Sequence, residues 1–281
     1  MPLKDALTLA KPRIALLVML TEALGYSVAG GAPGATIWWV VLGTGLCSGA
    51  CGALNQALEG AQDAKMARTS RRPVASGRVS AASAGVLGAA LSAAGLAILW
   101  AGCGPLACGL TAATIVGYAF LYTPLKRVTP QTTWIGAAAG ATPPLIGWAA
   151  ARGHLSVQAW ALFGIQFLWQ IPHFLSLFWI YREDYGRAGF RVMPVVDPAG
   201  GLTAAQIAMH SFTVLPAALL PVFLGMAGKG YGFAALAISA GYLVLGLKAS
   251  WSLKAVDTRR LFLASLAYLP LIFVSLLIGG V

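Results

Sequence analysis

Runs of about 20 apolar residues recur from end to end of this chain, and each is long enough to cross the hydrocarbon of a bilayer. That single feature excludes most architectures. Lipid offers no partner for open backbone groups, so the runs must be helices or strands of a closed barrel. A barrel needs short alternating segments, which this sequence lacks. The expected fold is therefore an all-α integral membrane bundle of about nine transmembrane helices.

The periodicity places these helices at residues 14–30, 36–58, 82–101, 104–122, 132–151, 158–181, 203–226, 231–249 and 260–279. Two connections are long, 59–81 and 182–202. The residues before the first run, Met1 to Arg13, show no small-residue cleavage site and lead into an anchor helix. Residues 1–281 are taken as one transmembrane domain. Only 10% of residues are charged, against roughly a quarter in soluble domains. The 34 glycines fall mostly inside the apolar runs, where small residues let helices approach closely.

Counting Lys and Arg by alternate loops puts seventeen on one side and only Arg152 and Lys229 on the other. The basic side is expected to be cytoplasmic, with the N-terminus there and the C-terminus outside. This asymmetry accounts for the net charge of +11 without a nucleic-acid partner. The four cysteines follow no metal-ligand spacing; Cys103 and Cys108 flank a short connection and are able to pair, though nothing requires it.

Eight residues are acidic, and five of them lie in or beside the two long basic-side connections. Asn55, Glu59 and Asp63 follow one another at a spacing of four. On a helix that spacing drifts about 40° per step and lines up one stripe of oxygen atoms. Such oxygens suit Mg²⁺, which binds through a few carboxylates together with substrate phosphates. Lys65, Arg68, Arg71 and Arg72 come directly after, and guanidinium groups suit phosphate oxygens. The plainer alternative is a helix end laced with ion pairs. A second cluster, Arg182-Glu183-Asp184-Tyr185-Gly186-Arg187, lies at another basic-side helix end and reads equally well as a solvated loop. Lys126 and Arg127 add two cations to the same face. His173, in Trp169-Gln-Ile-Pro172-His173-Phe174, and His210 lie within apolar runs. They read either as packed, hydrogen-bonded residues or as contacts for a porphyrin.

At these residues the sequence resembles the UbiA superfamily of membrane prenyltransferases and, within it, the haem-farnesylating branch. The family motif N-x-x-x-D-x-x-x-D is matched by Asn55, Glu59 and Asp63, with Glu in the place of the commoner Asp. The branch's longer form is matched by Met66, Arg68, Thr69, Arg72 and Pro73. Tyr122-Thr-Pro-Leu-Lys126-Arg127, Gly140-Ala-Thr-Pro143-Pro144-Leu-Ile-Gly147-Trp148 and Trp169-Gln-x-Pro-His173-Phe extend the match. Asp184-Tyr185-x-x-Ala-Gly189 through Met193-Pro194 completes it.

The resemblance implies transfer of farnesyl from farnesyl diphosphate to the vinyl group of haem B, with water addition, giving haem O. It implies a Mg²⁺ held by Asn55, Glu59, Asp63 and Asp184, with Tyr185 beside them as a catalytic residue. It implies diphosphate contacts from Lys65, Arg68, Arg72, Lys126 and Arg127, and haem contacts from His173 and His210. The lipid bilayer of the inner membrane and a haem A synthase are the implied surroundings. A quinone-precursor prenyltransferase is the nearest alternative reading. A transporter is a more distant one, because transporter sites sit near the bilayer midplane rather than at its boundary.

Overall fold

The computed structural model describes residues 1–279 and is helical throughout its regular structure. A short helix α1 (Leu3–Ala10) leads through Lys11 into α2 (Pro12–Val28) and then α3 (Ala35–Asp63). α4 (Ala81–Ile115) follows and continues as a π-helical stretch over Val116–Tyr122 into the single turn α5 (Thr123–Leu125). Then come α6 (Thr132–Gly140), α7 (Pro143–Arg152), α8 (Val157–Ile180), and the short α9 (Arg182–Arg187) and α10 (Met193–Val196). α11 (Gly201–Phe223), α12 (Lys229–Ser252) and α13 (Ala255–Ile278) complete the described chain.

α4 is two helices joined at a sharp break. Gly104 takes φ 84°, ψ 174°, a conformation that favours glycine, and Pro105 follows it. Before the break, α4 runs antiparallel to α3. A Cβ on Gly88 would lie 2.6 Å from Leu54, and one on Gly95 would lie 2.5 Å from Cys47. After the break the chain turns back, with Cys108 Sγ 3.5 Å from the Leu96 carbonyl. It then runs beside α6 and α7, where the Thr114 and Thr142 hydroxyls meet at 2.7 Å. The expected boundary between 101 and 104 thus corresponds to a physical reversal.

Six helices among the described residues are long and apolar enough to cross a membrane, one of them counted through that break as 81–125. α2 has 17 residues, and the expected helix 132–151 is divided between α6 and α7. The division has a plain cause: Pro143 and Pro144 cannot continue a helix from Gly140, so Pro143 starts a new one. α7 then crosses α2 so closely that a Cβ on Gly25 would lie 2.5 Å from the Pro144 carbonyl oxygen. Large apolar side chains stay on the outside, including Trp38, Phe212, Phe233 and Val244. Water would not tolerate that surface and lipid does. The chain is a multi-pass membrane protein. The cysteines are free, so the pairing open to Cys103 and Cys108 is not made.

Candidate functional site

The oxygen stripe forms as its spacing predicts, and α3 continues five residues past the expected end at 58 to include all of it. Asn55, Glu59 and Asp63 are each 3% exposed or less. Buried carboxylates need partners. Asp63 accepts two hydrogen bonds from Arg72 Nη1, at 2.8 and 2.9 Å. Glu59 accepts from Asn55 Nδ2 at 2.8 Å and pairs with Lys126 Nζ at 2.5 Å. Asn55 also accepts from Lys11 Nζ at 3.1 Å.

Four segments converge on the stripe. The first is the hinge between α1 and α2. Gln56 donates to the Leu9 carbonyl, and Gly52 leaves room for that same carbonyl to rest on α3. The hinge residue Lys11 adopts φ 49°, and its side chain lies along Gly52 toward Asn55. The second is the π-helical stretch. Its extra residue per turn lets the Thr123 hydroxyl reach the Tyr118 carbonyl at 2.9 Å while Asn55 Nδ2 approaches Thr123 Oγ1 at 3.3 Å. Tyr122 lies under the Lys126 ammonium at 4.8 Å.

The third and fourth segments are the two long connections, which clasp each other. Met66 is buried with Phe178, Tyr185, Phe190 and Val192. Arg68 lies over the Tyr181 ring and reaches the Tyr185 hydroxyl at 3.4 Å. Thr69 donates to the Asp63 carbonyl at 2.9 Å, turning the chain back so that Arg72 faces Asp63. Met66 and Thr69 therefore shape the site rather than contact its polar centre.

Electrostatics set the site's character. Lys11, Arg72 and Lys126, with Arg68 nearby, face only two carboxylates, Glu59 and Asp63. The buried centre carries surplus positive charge. Burial, reinforced by the charges of Arg72 and Lys126, lowers the Lys11 pKa to about 7. Burial also holds Lys126 below the usual lysine range, with Glu59 beside it opposing the shift. Burial raises the Tyr185 phenol above its usual range, against the nearby charge of Arg68. A polyanion is the natural complement to such a centre.

Other expected residues fall elsewhere. Asp184 is paired with Arg187 one turn on, and Glu183 is exposed. Among the described residues, no three His, Cys, Asp or Glu side chains converge closely enough to hold a metal ion. Each stripe carboxylate is instead drawn to its own cation. Lys65 is exposed, and Arg127 donates to the Leu58 carbonyl at 2.7 Å at the end of the bundle. A surface hollow of about 590 Å³ is lined by Ala57, Ala61 and Ala64 on the opposite face of α3.

The two histidines lie within the bundle on α8 and α11. His173 is stacked between Trp169 at 5.3 Å and Phe262 at 5.0 Å, with Nδ1 2.7 Å from Ser265 Oγ. His210 sits against the edge of Trp134 at 6.2 Å, with Nδ1 2.9 Å from the Gln206 carbonyl. Gln166 and Gln170 tie α8 to α6 through the Gly140 and Ala137 carbonyls.

Lys11 and Thr123 were not singled out from the sequence. Lys11 belongs to a Lys-Pro-Arg run at the mouth of the first span, where membrane topology accounts for basic residues without any site. The signal for it was its position at a helix entry, immediately before Pro12.

The UbiA prenyltransferase family profile matches residues 16–277. Relatives named protoheme IX farnesyltransferase include one from Solibacter usitatus, 42% identical over 96% of this chain and 97% of the relative. Another, from Opitutus terrae, is 40% identical over 98% and 94%. Among solved structures, a UbiA homolog from Aeropyrum pernix K1 superposes with TM-score 0.74 at 18% identity, covering 95% of this chain and 98% of the other. A UbiA homolog from Archaeoglobus fulgidus bound to GPP and Mg²⁺ gives TM-score 0.71 at 16% identity, covering 97% and 99%. The chain belongs to the UbiA prenyltransferase family.

Proposed function

We propose that the chain transfers farnesyl from farnesyl diphosphate to a vinyl group of haem B, with addition of water, releasing diphosphate and haem O. The observation that carries this reading is the buried surplus of cations around the Asn55–Glu59–Asp63 stripe, in a chain whose relatives are named protoheme IX farnesyltransferase.

The diphosphate belongs among Lys11, Arg68, Arg72 and Lys126, with Lys65 and Arg127 at the rim. Asn55, Glu59 and Asp63 fit a Mg²⁺ that arrives with the diphosphate, since this ion takes one or two carboxylates and completes its shell with phosphates and waters. Asp184 joins that set when Arg187 releases it. When bound, Mg²⁺ neutralises charge on the leaving diphosphate. The chain's own cations do the same for the remaining oxygens, and Tyr122, Tyr181 and Tyr185 supply aromatic faces and a hydroxyl beside the allylic carbon. The clasped loops keep bulk water from that carbon. His173 and His210 face the haem. The chain acts as one domain across residues 1–281, with this site at the cytoplasmic face of the inner membrane and the C-terminus outside. The product is suited to a downstream haem A synthase.

Purified protein incubated with haem B, farnesyl diphosphate and Mg²⁺ should yield haem O by chromatography and mass. Prenylation of hydroxybenzoate with haem B left unchanged would replace this reading with the quinone-precursor alternative.

A further inference from the structure

Thr123 stands where the π-helical stretch ends, fully buried against Asn55. Both of its donors go to one atom. Its backbone N–H and its hydroxyl each donate to the Tyr118 carbonyl, five residues back. In an α-helix a threonine hydroxyl reaches the carbonyl three or four residues earlier. The wider π turn moves that acceptor back by a residue. A carbonyl only accepts, and a hydroxyl has one hydrogen. Thr123 Oγ1 therefore has no hydrogen left to give, and it faces Asn55 purely as an acceptor.

That fixes one end of the Asn55 amide. Nδ2 has two hydrogens, of which one goes to Glu59 Oε2 at 2.8 Å and the other to Thr123 Oγ1 at 3.3 Å. Oδ1 is left to accept, and it receives Lys11 Nζ at 3.1 Å. An amide oxygen has two lone pairs, so it can also serve a hard cation. The three partners of Asn55 differ in kind. Glu59 and Lys11 are charged, and a metal–diphosphate ligand competes for both. Thr123 is neutral and its hydrogen is committed to the main chain, so no such ligand draws it away.

We propose that Thr123 is a positioning residue, which keeps the Asn55 oxygen turned toward the Mg²⁺–diphosphate while Glu59 and Lys11 leave Asn55 for the ligand. The inference rests on the reading of the stripe as a Mg²⁺–diphosphate site. The two ends of an amide are nearly equal in size, and only hydrogen bonds tell them apart. With both charged partners gone and no acceptor at Thr123, the amide is free to turn over and aim its hydrogens at the cation. Thr123 acts through Asn55, and the π turn is what spends its hydroxyl hydrogen on the main chain.

The test is calorimetric titration of farnesyl thiodiphosphate, with and without Mg²⁺, into native protein, Thr123→Val and Thr123→Ser. Valine keeps the shape of threonine and the backbone bond to Tyr118, and loses only the hydroxyl. Thr123→Val should weaken binding in Mg²⁺ about 10–100-fold, the usual loss when a metal ligand loses the group that orients it. Binding without Mg²⁺ should not change, whereas damage to the fold would weaken both. Thr123→Ser restores the hydroxyl and should bind as the native protein does. In an Asn55→Ala background, Thr123→Val should cost nothing more, because its effect passes through the missing amide. If Thr123→Val fails to fold, Thr123→Ser set against Thr123→Ala isolates the hydroxyl in the same way. Native affinity without the hydroxyl, equal losses with and without Mg²⁺, or no rescue by serine overturns the proposal. Absence of Mg²⁺-dependent binding in the native protein would instead sink the metal reading of the stripe, and this inference with it.

Discussion

The two acidic clusters on the basic side of this protein have similar composition and opposite physical fates. Glu59 and Asp63 are at most 3% exposed and lie among cations drawn from three other parts of the chain. Glu183 is exposed, and Asp184 pairs with Arg187 on its own short helix. Charge on one face of a membrane protein is ordinary. Charge taken out of water and held by long-range partners is costly, and that cost is what marks a site.

Breaking the buried side should have the largest effect. Arg72→Ala leaves Asp63 without its two hydrogen bonds, and removing one partner of a buried pair costs about 3–5 kcal/mol. Thermal unfolding in detergent should show the loss. The double variant Arg72→Ala, Asp63→Asn should recover most of that stability and none of the activity. Asp63→Asn alone should leave the fold intact and lower turnover by about 10²–10³, the usual loss for one electrostatic group at a reacting centre. Full activity in that variant would return the stripe to an ion-paired helix end.

Much of the buried cluster was legible because its spacing is local. Asn55, Glu59 and Asp63 announce themselves at intervals of four, and Arg72 follows within one short loop. The reversal at Gly104-Pro105 was legible for the same reason. Lys11 was not, because its partner Asn55 is 44 residues away and only the α1–α2 hinge brings them together. The division of 132–151 was present in Pro143-Pro144, but the continuous apolar run masked it. The extension of α3 to Asp63 was hidden too. A carboxylate-bearing helix end looks solvated until the cations that bury it are known.

Lys11 sharpens the comparison at intermediate size. With a pKa of about 7 in the ligand-free protein, it loses its charge as pH rises from 6 to 8, so the site loses a cation. A bound diphosphate holds that proton on, raising the pKa. Diphosphate affinity should therefore fall with rising pH, up to about tenfold for each unit by which binding raises that pKa. Lys11→Arg stays charged and should keep only the slope due to the ligand's own ionisation. Calorimetric titration of farnesyl thiodiphosphate with Mg²⁺ at several pH values would show it. Equal slopes in the two proteins would remove Lys11 from the diphosphate's neighbourhood.

The exposed cluster should respond least. The Asp184–Arg187 pair is an i, i+3 contact with Arg187 57% exposed, so Arg187→Ala should cost at most about 0.5 kcal/mol. Glu183→Gln should be neutral within about 0.5 kcal/mol in a denaturation midpoint. A larger loss in either would mean that this segment is held as tightly as the stripe.

The most direct measurement compares the clusters as ligand sites. Farnesyl thiodiphosphate, which resists ionisation, would be titrated with and without Mg²⁺ into native protein, Asp63→Asn and Asp184→Asn. The account predicts Mg²⁺-dependent binding that Asp63→Asn weakens by about a hundredfold, the cost of a lost charge-assisted contact. Asp184→Asn should weaken it less than about tenfold, having first to leave Arg187. Native affinity in Asp63→Asn, with binding lost in Asp184→Asn, would contradict it and move the site to the second cluster.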